Sequence, residues 1–213
     1  MIPRIRSSAL AWAIPLVLAT LLIGGPLVQV RAQAAVSSSE RTTLKAINAY
    51  FNAIRTMQGD FVQFGPDGTR TEGRFYIARP GKIRFRYAKP ARLDIIADGK
   101  SVAVRDRRLA TQDIWPLKRT PLRFLVAESL DLQKDAKIRN ITVEPDLVTI
   151  VIDENTVFGD GRLTLMFDAK THQLRQWTVK DAQGYDTSVA IYNVETGKPT
   201  NPKWFFIDYT IIR

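Results

Sequence analysis

The chain has 213 residues, with 31 Lys and Arg against 21 Asp and Glu, a formal net charge of +10, and 45% apolar residues. That is enough chain for a single core and enough apolar content to fill it, which sets a disordered chain aside. With no Cys and one His, disulfides, thiol nucleophiles, iron–sulfur clusters and His-pair metal centres are excluded, and His172 is left as the one candidate imidazole base.

Met1 to Ala34 reads as a secretory signal peptide. Arg4 and Arg6 precede an uncharged stretch from Ser7 to Val30, Gly24-Gly25-Pro26 breaks it late, and Ala32-Gln33-Ala34 offers the small residues of a cleavage site. A retained membrane anchor is the alternative, since the run is long enough to span. No Cys follows the run to accept a lipid, so the expected product is an exported, soluble domain over residues 35–213. The segment holds Arg4, Arg6 and Arg31 and no acid, so its removal lowers the net charge from +10 to +7. A basic surface suits acidic partners or an anionic membrane face; nucleic acid is not an expected partner of an exported protein.

Ser37-Ser38-Ser39 supply a helix N-cap, with Glu40 at the positive end. Leu44, Ile47, Phe51 and Ile54 then form one helical face, and Arg41, Lys45, Asn48, Asn52 and Arg55 the other. After Gly59 the period becomes two. Phe61 to Phe64 and Thr69 to Ile77 flank the turn cluster Gly65-Pro66-Asp67-Gly68, and Arg79-Pro80-Gly81 turns the chain into Lys82 to Tyr87, where Ile83, Phe85 and Tyr87 face one way. Asp98-Gly99 joins strands Leu93–Ala97 and Ser101–Arg105. Thr120-Pro121 reads as an N-cap and first position of a helix carrying Leu122, Leu125, Val126 and Ser129 or Leu130. Strands are expected again at Ile138–Glu144, Leu147–Asp153, Arg162–Asp168, Leu174–Lys180, Ser188–Val194 and Phe205–Tyr209.

The predicted class is α+β and mainly antiparallel β: a long meander that curls, with a helix before it and a helix inserted across one face. Its inward residues either close a dry core or line a concave apolar cavity under the helices; periodicity leaves both open. Catalytic signals are thin. No G-x-S-x-G elbow accompanies His172, Asp153-Glu154 and Asp106 with Asp113 fall where solvated acids are normal, and Gly159-Asp160-Gly161 reads as a turn.

Several segments carry a resemblance. Gly73 to Phe85, with its Arg79-Pro80 turn, resembles a pattern in the periplasmic LolA-type carriers of outer-membrane lipoproteins. Met57 to Gln63 is similar to their F-x-Q strand, Asp94 to Lys100 to their hairpin, and Thr120 to Leu125 to their T-P helix. The resemblance implies an incomplete barrel with helices covering its concave face, and a non-enzymatic carrier that takes lipoprotein acyl chains from the inner to the outer membrane. It implies three partners: acylated lipoproteins, an inner-membrane ABC-type release complex and an outer-membrane acceptor. It implies no cofactor and no metal. By the family pattern Arg79 latches the lid through lid backbone. The candidates for contact with acyl chains are Phe61, Ile83, Phe85, Tyr87 and Ile95, with Trp115, Phe124 and Leu125 on the lid side, where ordinary packing is the alternative. Lys82, Arg84 and Arg86 depart from the pattern, and the C-terminal part matches loosely. That leaves an exported carrier or sensor of a glycolipid or phospholipid as the second reading, and a hydrolase dependent on His172 as the third.

Overall fold

The computed structural model describes residues 36–156 and 159–211; the expected signal segment lies outside them. Helix α1 (Ser38–Ala53) begins with a capping box: Ser37 Oγ accepts from the Glu40 N–H, and the Glu40 carboxylate accepts from the Ser37 N–H at 2.6 Å. Leu44, Ile47 and Phe51 are buried, and the Phe51 ring meets Phe167 edge-on at 5.9 Å. The predicted stripe therefore packs on the sheet.

Among the described residues eleven antiparallel strands follow: β1 (Thr56–Phe64), β2 (Arg70–Ala78), β3 (Lys82–Tyr87), β4 (Leu93–Asp98), β5 (Ser101–Asp106), β6 (Thr111–Pro116), β7 (Lys137–Val143), β8 (Leu147–Thr156), β9 (Gly159–Asp168), β10 (Leu174–Lys180) and β11 (Asp186–Thr196). Their order is β6-β5-β4-β3-β2-β1-β11-β10-β9-β8-β7. Two meanders are joined by the pairing of β1 with β11, and β6 and β7 form the two edges. The sheet is not closed into a barrel. The chain between those edges carries a 3₁₀ turn (Leu117–Arg119), α2 (Arg123–Val126) and α3 (Leu132–Asp135), which together cap the concave face.

Gly73 is a sterically required residue. It stands between Phe61 and Tyr87 in the β1–β2–β3 ladder, and a Cβ there would collide with the Arg86 carbonyl. With no side chain between them, the Phe61 and Tyr87 rings close to 5.0 Å.

Three expectations need correction, and strand β6 had no clear sequence signal. The cap helix does not start at Thr120: that hydroxyl bonds back to the Leu117 carbonyl at 2.9 Å, ending the 3₁₀ turn, and α2 begins two residues after Pro121. Helix α2 also stops after one turn, because Ala127 is extended and the Val126 and Ala127 carbonyls are taken by donors from the β2–β3 turn. Phe205–Tyr209 is not a strand. Asn201 caps a 3₁₀ turn over Pro202–Phe205, and the chain beyond crosses the outer face of the sheet, where Ile207 packs with Ile96 and Ala103 and the Trp204 ring meets Tyr76 at a tilt, 4.5 Å between centroids. Its alternation is real, with Phe205 and Ile207 buried around an exposed Phe206, but β4 and β5 already have partners on both sides.

Candidate functional site

The inward faces of these strands do not meet in a filled core throughout. Between sheet and cap lies a hollow of about 550 Å³, within the usual range of ligand cavities, roughly 300–1,000 Å³. Its walls are Phe85, Ile95, Val104, Trp115, Leu165 and Trp177, with Leu122 and Leu125 from the cap; exposed Pro66, Gln183 and Tyr185 mark its mouth. Of the sequence candidates, Phe85, Tyr87, Ile95, Trp115 and Leu125 lie on this wall, Trp115 from sheet strand β6 and not from the lid side where it was expected. Phe61, Ile83 and Phe124 are buried behind it in the hydrophobic core. The reason is depth: Phe61 is sandwiched edge-on between Phe85 and Tyr87 at 5.1 and 5.0 Å, and Phe124 lies beneath the Arg123 guanidinium at 3.9 Å.

Polar bonds hold the cap from both sides. On one side, Arg79 Nε donates to the Ala127 carbonyl at 2.9 Å, and Nη1 donates to the carbonyls of Phe51 and Ile54 at the end of α1. The Gly81 N–H donates to the Val126 carbonyl at 2.7 Å. One turn between β2 and β3 thus grips the ends of two helices. Burial, and after it the charge of Arg55, holds the Arg79 pKa below the usual arginine value. On the other side, Arg123 of α2 meets Glu154 of β8 at 2.7 Å. Burial raises the Glu154 pKa, and Arg123 partly offsets that.

Two residues assigned to the polar side of α1 also hold the cap. Asn52 exchanges hydrogen bonds with the backbone of Leu130, donating to its carbonyl at 2.9 Å and accepting from its N–H at 2.8 Å. Asn48 accepts from the Leu132 N–H at 3.2 Å and donates to Asp131. Their spacing of one helical turn was the visible signal; their backbone partners left none.

The wall has a small polar portion toward the mouth. The Tyr87 hydroxyl donates to Gln63 Oε1 at 2.6 Å, and burial pushes its pKa up, so it stays a neutral donor. The residues weighed for hydrolysis do not converge. Glu154 faces inward and is buried because β8 runs on to Thr156, whereas Asp153 faces outward and pairs with Arg139 at 2.7 Å. His172 sits in the β9–β10 turn with φ 57°, away from the wall of the hollow.

Comparison with known proteins fits this geometry. A family model described as outer membrane lipoprotein carrier protein LolA matches residues 52–208. The outer-membrane lipoprotein carrier protein of Methylococcus capsulatus is 25% identical over 177 residues, spanning 79% of this chain and 85% of that protein. Proteins of the same description from Neisseria meningitidis serogroup B and Halorhodospira halophila are 33% and 30% identical, over 79% and 80% of this chain and 82% and 84% of theirs.

Proposed function

The chain belongs to the outer membrane lipoprotein carrier protein LolA family, and from that we propose that it is a non-enzymatic periplasmic chaperone that shields lipoprotein acyl chains in its hollow between the inner and the outer membrane. The observation that carries this reading is the apolar hollow of about 550 Å³ beneath a cap held at its rims by polar bonds. Each methylene moved from a bilayer into water costs about 0.8 kcal/mol, so an anchor of several acyl chains crosses an aqueous space only inside such a shield. On this reading the cap moves aside for a whole anchor to enter.

Release then follows from a difference between two states. Arg79, whose Nε and Nη1 donate to the carbonyls of Ala127, Phe51 and Ile54, favours the closed, empty form, and a carrier that prefers to close weakens its own hold on cargo without an energy source. Export depends on the signal segment of residues 1–34. An inner-membrane ABC-type release complex supplies the cargo and an outer-membrane acceptor receives it.

The test is purification of the exported protein from the periplasm and mass spectrometry of the acylated species that accompany it. Lipoproteins are the expected cargo. Recovery of phospholipid or glycolipid alone would replace lipoprotein by another lipid, and recovery of no acyl-bearing species would reject the carrier reading.

A further inference from the structure

We propose that Gln63, oriented by Tyr87 and flanked by Thr187, is a hydrogen-bonding subsite in the wall of the hollow that takes the ester or amide carbonyl at the head of an acyl chain. The proposal rests on the carrier reading and deepens it from "apolar chains" to "acyl chains held by their carbonyl".

Position is the first argument. Along the inward face of β1, Phe61 is buried in the aromatic layer, Gln63 is the next inward residue, and exposed Pro66 stands at the mouth. On β11 the inward residue opposite Gln63 is Val189, with Thr187 one inward step nearer the mouth. Gln63 and Thr187 therefore lie where hydrocarbon ends and solvent begins.

The second argument is which groups remain unspent. Thr120 bonds to the Leu117 carbonyl, Lys180 to Gly184 and Asp186, and Glu154 is engaged by Arg123. Tyr87 donates to Gln63 Oε1. That bond occupies the acceptor end of the amide, fixes its orientation, and leaves the Nε2 hydrogens as what Gln63 offers to the hollow; Nε2 has no hydrogen-bond partner among the described residues. The Thr187 hydroxyl is likewise unpartnered among them. These are neutral donors. Of the cations on the wall, Lys180 is paired with Asp186, and Arg162 is exposed to solvent. Neutral donors of this kind suit an uncharged carbonyl oxygen.

The experiment compares binding of a diacylglycerol and its dialkyl ether analogue, equal in chain length, to the purified mature protein. The wild type should prefer the ester by about five-fold, the share of one neutral hydrogen bond. Gln63→Leu should abolish the preference while leaving ether affinity within about two-fold. Gln63→Glu, similar in size but without the amide donors, should abolish it as well, and ether binding reports that each variant is folded. Tyr87→Phe should reduce the preference by freeing the amide. A preference that survives in both Gln63 variants overturns the subsite. Equal binding of both lipids by the wild type overturns the subsite and leaves the carrier reading standing; binding of neither overturns both.

Discussion

The guanidinium of Arg123 and the carboxylate of Glu154 meet at 2.7 Å across the boundary between cap and sheet, with the Glu154 side chain 5% exposed and that of Arg123 35%. The pair is the counterpart, at α2 and β8, of the Arg79 grip at the β2–β3 turn. Breaking a buried pair costs roughly 3–5 kcal/mol. Solvent reaches the Arg123 side, so Arg123→Met should cost less, about 1–3 kcal/mol at neutral pH.

That loss should depend on pH in a defined direction. Burial already raises the Glu154 pKa above its ordinary 4.5, and removing Arg123 removes what lowers it. A carboxyl whose folded pKa lies above its unfolded one contributes stability below the unfolded value and loses it as pH rises through the folded value. The deficit of Arg123→Met should therefore be small near pH 4 and full at pH 7. Urea unfolding at both values checks this; a deficit equal at both would show that the charge of Glu154 is not its source.

Arg79→Leu removes the donors to three backbone carbonyls at the ends of α1 and α2. The closed form should lose about 1–3 kcal/mol, shifting the protein toward an open, loaded state. More cargo should remain bound after purification, and less should reach the acceptor in a transfer assay. Transfer at the wild-type rate would remove Arg79 from the latch role.

Gly73→Ala should be among the most damaging single-methyl changes in the sheet. The new Cβ would run into the backbone carbonyl of Arg86, which is fixed in the ladder, and the Phe61–Tyr87 contact would have to part. We expect a loss of about 2 kcal/mol or more, as for overpacked cores. Gly68→Ala, at φ 79° in an open turn with no neighbour near the added Cβ, should cost only about 1 kcal/mol. Thermal unfolding of the two variants side by side distinguishes a steric from a conformational requirement.

Much of the fold was legible because the signals were local. The capping box of Ser37 and Glu40 spans three residues, the α1 stripe repeats every turn, and the Asp98-Gly99 hairpin needs only its own two residues and flanking alternation. Where a signal was local but ambiguous, tertiary contacts chose. Thr120 had the chemistry to cap a helix forward or to close a turn backward, and the Leu117 carbonyl took it. Phe205 to Tyr209 alternated like a strand, yet the segment lies across β4 and β5, which already have partners on both sides.

The candidate site was legible in kind more than in detail. Phe85, Tyr87, Ile95, Trp115 and Leu125 fall on the wall of the hollow and Phe61, Ile83 and Phe124 behind it, a division that alternation along a strand cannot express, because it reports the face of a residue and not its distance from the mouth.

From its residues alone this chain prescribed a capped amphipathic helix, a curling run of hairpins and an interrupting segment between two sets of strands, since each depends on neighbours a few positions away. Three things waited for the assembled molecule. The hollow stays open under its cap because the curved sheet does not close. Arg79, Asn48 and Asn52 hold that cap through backbone groups, which look alike in every sequence. Glu154 is a buried partner and not a solvated acid because β8 runs past it to Thr156 and places it opposite α2.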